Sequence, residues 1–178
     1  MQTLFQRTRY HLISVLLLSL FLSACGFKMR GQSELPFKQV YTNISRNSSF
    51  GIYIYRLLKA SSPDTVMVNT PKQAELIVTQ LAMKRSRTEV SLDADGRVEE
   101  YELGLVFQFS VSDAQGNELI RPTTLSASQL LPYDENEVEA KSAEMVLIYN
   151  NMEKSIADRL YRHLTSEQLI ERYRSVNP

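Results

Sequence analysis

Residues 99–112 read EEYELGLVFQFSVS, and this stretch decides the fold. Its apolar side chains occupy every second position and are separated mostly by polar or small ones; they are Tyr101, Leu103, Leu105, Phe107, Phe109 and Val111. Successive side chains of a β-strand point to opposite faces of the sheet, so this period of two predicts a long strand with one buried face. A sheet with a single apolar face needs a second layer to cover it.

The residues before this stretch, from position 76 onward, predict the partner strand of a hairpin, but neither set of alternate positions there is uniformly apolar. The sequence DADG at 93–96 forms the loop, and its length sets which face of the partner strand is buried. A two-residue loop turns Gln80 and Lys84 toward the core. A three-residue loop with Gly96 in the left-handed conformation instead pairs apolar residues with each other; the pairs are Leu81 with Phe109 and Met83 with Phe107. We favour the three-residue loop, which also gives the glycine a role.

Shorter signals flank this hairpin. The sequence QVYTN at 39–43 predicts a short strand. Ser48 and Ser49 can cap a helix, because the apolar residues that follow recur at helical spacing, namely Phe50, Ile54, Leu57 and Leu58. After a turn at 113–117, alternate positions predict another strand; they are Leu125, Ala127, Gln129, Leu131 and Tyr133.

The last predicted element is a long helix. Asp134 followed by Glu137 is typical of a capping box, which would begin this helix. One side of it carries an apolar stripe made of Met145, Tyr149, Met152, Ile156, Leu160 and Leu164. Charged residues are expected on its other sides; they include Lys141, Glu144, Glu153, Lys154 and Asp158. The order of elements predicts an α+β two-layer sandwich, with a mostly antiparallel sheet of about four strands and two helices packed on one face.

The N-terminal residues have the layout of a secretory signal. Arg7 and Arg9 precede an apolar run at 12–22, which is about half the length needed to span a bilayer. The sequence LSAC at 22–25 resembles a lipobox, so Cys25 is the predicted lipid-attachment residue; a soluble secreted protein with a free thiol is the alternative. The predicted organisation is a signal peptide at 1–24, a lipidated tether at 25–36, one domain at 37–165 and a C-terminal tail at 166–178 whose order stays open.

Composition argues against several classes of function. Cleavage before Cys25 leaves 154 residues with 18 basic and 20 acidic side chains, a net charge of −2 that argues against a nucleic-acid binder. His163 is the one histidine after the signal peptide, and no motif of nucleophile and base surrounds it. Asp93 and Asp95 fit a turn better than a calcium loop. We therefore expect no enzymatic activity, no metal and no cofactor.

The most basic stretch of the predicted domain is Lys84, Arg85 and Arg87, on the half of the hairpin nearest its loop. Arginine forks and lysine ammonium groups suit phosphates, so an anionic-lipid site is one interpretation. The other is ion pairing with acidic residues of the same hairpin, namely Glu89, Glu99, Glu100 and Glu102. The residues alone leave both interpretations open.

Three segments of the chain carry a family resemblance. They are CGFKMRG at 25–31, EEYEL at 99–103, and YD at 133–134 with VEAK at 138–141. Together they resemble the LptE family of lipopolysaccharide-assembly lipoproteins of Gram-negative bacteria. The resemblance implies a non-enzymatic lipoprotein that plugs the lumen of the barrel protein LptD and binds lipopolysaccharide. We map the family's basic glycolipid-binding residues onto Lys84, Arg85, Arg87 and Lys141; Lys141 alone lies within a matching segment.

The resemblance also bears on location. In such lipoproteins an aspartate directly after the acylated cysteine tends to retain the protein at the inner membrane, and the residue here is Gly26. We expect the outer membrane, on its periplasmic side, with the acyl chains as a firm anchor. The alternative function is a lipid-anchored adaptor that binds another envelope protein or peptidoglycan and handles no glycolipid.

Overall fold

The computed structural model describes residues 34–177. The predicted signal peptide, Cys25 and most of the predicted tether lie outside this range. Within it the chain forms five strands, three α-helices and two 3-10 turns: β1 (Gln39–Thr42), α1 (Ser49–Ser61), β2 (Val66–Met67), a turn at Pro71–Gln73, β3 (Leu76–Leu92), β4 (Val98–Asp113), β5 (Glu118–Pro132), a turn at Glu135–Glu137, α2 (Val138–Leu164) and α3 (Glu167–Val176).

All five strands join one sheet in the order β2-β1-β3-β4-β5. Strands β3, β4 and β5 are antiparallel to their neighbours, whereas β1 runs parallel to both β2 and β3. The α+β class and the mostly antiparallel sheet are confirmed, but the predicted count of about four strands and two helices is wrong. The additional strand β2 has two residues, too few to show a period, and the additional helix α3 lies in the predicted tail.

The core lies between the sheet and the first two helices. The six alternating apolar residues of β4 are all buried, and four have no exposed surface; these are Leu103, Leu105, Phe107 and Phe109. The Phe107 ring lies 4.9 Å from the ring of Phe50 in α1, and the Phe109 ring lies 5.8 Å from His163 in α2. Both helices thus pack on the same face of β4, while Val106 on the opposite face is 40% exposed.

The loop between β3 and β4 has the predicted three residues. Gly96 has a φ of +80°, in the left-handed region. The Asp93 N–H donates to the Arg97 carbonyl oxygen at 2.8 Å, which closes the loop. The Asp93 carboxylate accepts from the N–H groups of Asp95 and Arg97, both at 2.8 Å. Asp93 and Asp95 are therefore part of a hydrogen-bonded turn.

Further along the hairpin, a bulge at Leu81 shifts the register in which β3 pairs with β4, and two more irregularities follow near the loop, between Glu89 and Leu92. Met83 lies opposite Phe107, as predicted, but Gln80 and not Leu81 lies opposite Phe109. One extra residue shifts the positions that face the helices from even numbers to odd numbers. For this reason neither set of alternate positions is uniformly apolar; the inward set is Leu76, Val78 and Gln80 before the bulge, and Met83, Arg85 and Arg87 after it.

Helix α1 begins as predicted. The Ser48 hydroxyl oxygen accepts a hydrogen bond from the Gly51 N–H at 3.0 Å, which satisfies one of the free donors at the start of the helix. Gly51 is buried, and a Cβ there would overlap the carbonyl oxygen of Ser45. The glycine therefore permits the chain to pass close to the first turn of α1, whose buried side contains Phe50, Ile54 and Leu58.

Helix α2 is long and its apolar stripe is buried from Met152 onward, but the predicted capping box is wrong. The Asp134 carboxylate accepts from the Asn136 N–H at 2.8 Å and so caps the 3-10 turn instead. Glu137 occupies the cap position of α2 itself and makes no side-chain capping bond. None of the helices within residues 34–177 is both long and apolar enough to cross a bilayer.

The segment predicted as a tail contains α3, which packs on the end of the sandwich farthest from the hairpin loop. Leu169 is 2% exposed, and the Tyr173 ring meets the ring of Phe37 edge to face at 4.9 Å. After the helix, Asn177 Nδ2 donates to Asp113 Oδ2 at 3.1 Å. These contacts tie residues from both ends of the described chain to the end of β4.

Candidate functional site

The four predicted glycolipid-binding cations do not share one surface. Arg85 lies opposite Leu105, which is buried on the face that the helices cover, and Arg87 lies two positions further along β3 on the same face. Lys84 lies opposite the exposed Val106 on the other face of the sheet. Because neighbouring residues of a strand point in opposite directions, Lys84 cannot bind the same phosphate group as the two arginines.

Arg85 pairs with a buried carboxylate. Its guanidinium binds Glu153 of α2, and its planar group also lies over the Tyr149 ring at 4.9 Å. The Glu153 carboxylate accepts a second hydrogen bond from the Ser49 hydroxyl at 2.6 Å, and Tyr149 donates to the Ser86 carbonyl oxygen at 2.7 Å. Arg85 thus joins β3 to α2 and, through Glu153, to α1. Its side chain remains 48% exposed.

The carboxylate partner of Arg85 was missed by the sequence interpretation, which placed Glu153 on a charged side of the helix. A signal was available: Glu153 precedes Ile156 and Ala157 by three and four residues, so helical spacing puts it beside the buried stripe. It is 4% exposed. A buried carboxylate needs a charged partner, and a cation from the facing strand meets that need.

Arg87 and Lys84 are differently placed. The Arg87 guanidinium lies over the Tyr101 ring at 4.8 Å, and Tyr101 meets Tyr133 edge to face at 5.0 Å. Among the described residues, neither Arg87 nor Lys84 has a carboxylate partner. Lys141, by contrast, pairs with Glu144 at 3.1 Å, and its side chain is 17% exposed. The structure therefore leaves two of the four cations without an ion pair in the part of the chain that it describes.

The surroundings of these cations are acidic. We define the distal end of the molecule as residues 84–102 of the hairpin together with residues 134–144; the two meet where Arg97 approaches Glu135 at 3.9 Å. The distal end contains eleven acidic and five basic residues, a net charge of −6. A shallow depression at the start of α2 is lined by three carboxylates, those of Glu135, Glu137 and Glu139, and so does not suit a phosphate.

The arrangement offers binding groups and no assembled reaction centre. Within residues 34–177 no group of three or more His, Cys, Asp and Glu side chains is placed to hold a metal ion. His163 is half-buried against the Phe109 ring. The cations can hold an anionic group by ion pairing and hydrogen bonding, with Arg87 and Lys84 the least engaged.

Solved structures of several lipoproteins resemble this fold. Uncharacterised lipoprotein B of Nitrosomonas europaea is 30% identical with a TM-score of 0.66, and the match covers 79% of this chain and 90% of that one. Rare lipoprotein B of Shewanella oneidensis is 22% identical with a TM-score of 0.63 over 74% of this chain and 96% of that one. The minor lipoprotein of Acinetobacter baumannii is 19% identical with a TM-score of 0.59 over 74% and 92%. The last two support the fold alone.

A search of curated proteins finds no significant match. A sequence model of the family described as LptE, lipopolysaccharide-assembly, matches residues 37–164. That range contains the whole sheet and the first two helices, and the family is one of non-enzymatic lipoproteins. The resemblance drawn from three short segments is therefore confirmed, and the chain belongs to the LptE family of lipopolysaccharide-assembly proteins.

Proposed function

We propose that this protein is the lipoprotein subunit of the lipopolysaccharide translocon. In this role it is anchored through acylated Cys25 on the periplasmic side of the outer membrane, plugs and supports the LptD barrel, and binds lipopolysaccharide on its way to the outer leaflet. The observation that supports the proposal best is the family match over residues 37–164, which spans the sandwich from before β1 to the end of α2. The match supports a role in lipopolysaccharide assembly. Binding to the LptD barrel and contact with the glycolipid are proposed in addition.

Among the candidate cations, Arg87 is the best placed to hold a glycolipid phosphate. Stacking over the Tyr101 ring fixes the guanidinium while the N–H donors in its plane stay free to bind oxygen. Lys84 offers a second point charge on the other face of the sheet. Arg85 is the weaker candidate because a ligand would have to compete with the buried Glu153 carboxylate.

Lys141 is a weaker candidate than Arg87 and a stronger one than Arg85. Its pairing with Glu144 joins two residues three positions apart on the helix surface, and such pairs contribute little free energy. A phosphate could therefore displace the glutamate at small cost. The four predicted residues thus become a ranked set, with Arg87 first and Arg85 last.

Glycolipid binding is tested by charge reversal at single sites. Arg87→Glu and Lys84→Glu are each expected to weaken lipopolysaccharide binding about tenfold at low salt, because each removes a charge-assisted contact. The affinity of each variant should also depend less on salt than that of the native protein. Lys72→Glu, at an exposed position in the turn before β3, is the matched control. Unchanged affinity in both folded variants would remove these residues from the site.

The barrel partner is tested separately by copurification. The tagged, acylated protein is extracted from membranes in mild detergent, and retained proteins are identified. A large barrel whose electrophoretic mobility changes on heating supports the translocon role. Retention of other envelope proteins or of peptidoglycan without such a barrel supports the adaptor alternative.

A further inference from the structure

One side of α1 is cationic and faces solvent. Ile52, Arg56 and Lys59 are spaced by four and three residues, which places them on the same side of the helix, and all three are exposed. The opposite side enters the core with Phe50, Ile54 and Leu58. The 13-residue helix contains no acidic residue.

Arg46 extends this surface. Its guanidinium lies over the ring of Tyr55, 4.6 Å from the centroid, and its Nη2 atom is 3.5 Å from the carbonyl oxygen of Met67 in β2. We define the α1 surface as Arg46, Ile52, Tyr55, Arg56 and Lys59. Among the described residues, none of its three cations has a carboxylate partner. The exposed Ile52 and the half-buried Tyr55 lie among these basic residues, and basic residues beside aliphatic and aromatic side chains are the composition that peripheral proteins present to lipid headgroups.

The α1 surface also lies near the point at which the described chain begins. The Leu35 N–H donates to the Ser62 hydroxyl at 2.7 Å, so the first described residues lie beside the C-terminal end of α1. Leu35 follows Cys25 by ten positions, and a segment of that length reaches about 35 Å at most when fully extended. A helix of this length measures about 20 Å. The whole α1 surface is therefore within reach of the membrane that holds the acyl chains.

Charge is distributed unevenly along the molecule. The distal end has a net charge of −6, whereas the other described residues comprise eleven basic and nine acidic side chains. An anionic bilayer repels the distal end and attracts the α1 surface. Both forces turn the molecule in the same direction, with the hairpin loop away from the bilayer.

We propose that the α1 surface rests on the anionic phospholipid headgroups of the leaflet in which Cys25 is anchored, so that the hairpin loop points away from that leaflet. This inference rests on the acylation of Cys25 within the proposed function. The membrane contact orients the sandwich before any partner binds, because the tether alone limits only its distance from the bilayer.

The contact is tested on the full acylated protein, which is purified from membranes as Ile52→Cys and labelled with an environment-sensitive fluorophore. Acylation blocks the Cys25 thiol, so the label reacts at position 52 alone. In phosphatidylcholine vesicles with added phosphatidylglycerol, we expect a blue shift and protection from an aqueous quencher, both reversed by high salt. The same label at Leu130→Cys, an exposed position of β5 opposite Glu102 of the distal end, should stay accessible. Equal accessibility at the two positions would overturn the proposal.

Charge reversal provides the second measurement. The combined Arg46→Glu, Arg56→Glu and Lys59→Glu variant should shift the docked–undocked equilibrium about 100-fold or more, because each basic residue near an anionic surface contributes about fivefold. A control with Lys72→Glu, Arg121→Glu and Arg174→Glu has the same net charge and alters exposed residues outside α1.

Three further outcomes overturn the proposal: equal undocking in the control, protection that needs no anionic phospholipid, and protection that only lipopolysaccharide produces. Copurification with the barrel separates this inference from the proposed function. Loss of docking with the barrel retained removes the membrane contact alone. Absence of the barrel from the native protein instead removes the translocon role.

Discussion

The two halves of the β3–β4 hairpin belong to the same strands but are stabilised differently. Before the Leu81 bulge, β3 lies between β1 and β4 and turns Leu76 and Val78 into the core, at 0% and 3% exposure. After the bulge the same face presents Arg85 and Arg87, which are held by a carboxylate and by aromatic rings. On β3, apolar burial thus supports the first half, whereas polar side-chain contacts lie over the buried β4 residues in the half that presents the candidate binding residues.

The largest effect is expected from breaking the apolar half. Phe109→Ala removes a ring with no exposed surface that packs against Phe107 and His163, so it should lower the free energy of unfolding by about 3–5 kcal/mol. Val106→Ala, on the opposite and partly exposed face of the same strand, should cost about 1 kcal/mol or less. Urea unfolding of both variants measures the difference. Equal losses would mean that the two faces of β4 are not distinguished by burial.

Removing Arg85 tests the polar half. Arg85→Met leaves the buried Glu153 carboxylate with the Ser49 hydroxyl as its remaining partner. The free energy of unfolding should fall by about 2–3 kcal/mol, which is less than for a fully buried pair because Arg85 is half-exposed. Adding Glu153→Leu removes the unpaired charge and should recover most of the loss. A double-mutant cycle in urea measures the coupling. Additive losses would contradict an ion pair that stabilises the fold.

The end of the molecule beyond the apolar half depends on another buried carboxylate. Burial raises the pKa of the Asp113 carboxyl, but hydrogen bonds from Asn117, Asn177 and Gln115 outweigh it, so this pKa lies below its ordinary value. A lowered folded-state pKa means that the stabilisation is complete above the unfolded-state pKa of about 3.9 and is lost as the pH falls through the folded-state value.

Asp113→Asn tests this linkage. The amide has one acceptor oxygen in place of two and turns its own N–H groups toward donors, so we expect a loss of about 1–3 kcal/mol at pH 7 and loosening of α3 through Asn177. Below about pH 4 the difference from the native protein should shrink. The free energy of unfolding, measured from pH 7 to pH 3, reports the loss of stability. Amide hydrogen exchange of α3 reports the loosening of the helix. A pH-independent difference would rule out the carboxylate as its source.

Local patterns predicted the parts of this fold that depend on neighbours in sequence. The alternation of β4, the left-handed Gly96 in a three-residue loop and the Ser48 cap of α1 each follow from a few adjacent residues, and all three are confirmed. The capping box at Asp134 is the exception, because the chain forms a 3-10 turn before the α-helix begins. Which of these two structures forms depends on small energy differences in one turn.

Features that depend on distant residues were not predicted. The bulge at Leu81 shifts β3 from one register to another, and no local pattern marks the position at which the core begins to favour the other face. The pairing of Arg85 with Glu153 joins positions 68 residues apart, so the charge pattern of the hairpin suggested the wrong glutamates. Residue type alone was thus enough to select the candidate cations. That they lie on two faces of the sheet could be seen only from the strand register.

The smallest effect on stability is expected at Lys141. A substitution there distinguishes residues that stabilise the fold from residues that are available to bind a ligand. Lys141→Met keeps the aliphatic stem and removes the charge that pairs with Glu144, so the free energy of unfolding should change by about 0.5 kcal/mol or less. If Lys141 serves the glycolipid, the same variant loses affinity while Lys141→Arg retains it. A thermal shift together with a lipopolysaccharide titration separates the two roles. A destabilisation as large as that of Arg85→Met would instead make Lys141 a structural residue and leave Arg87 as the principal candidate on the helix-covered face.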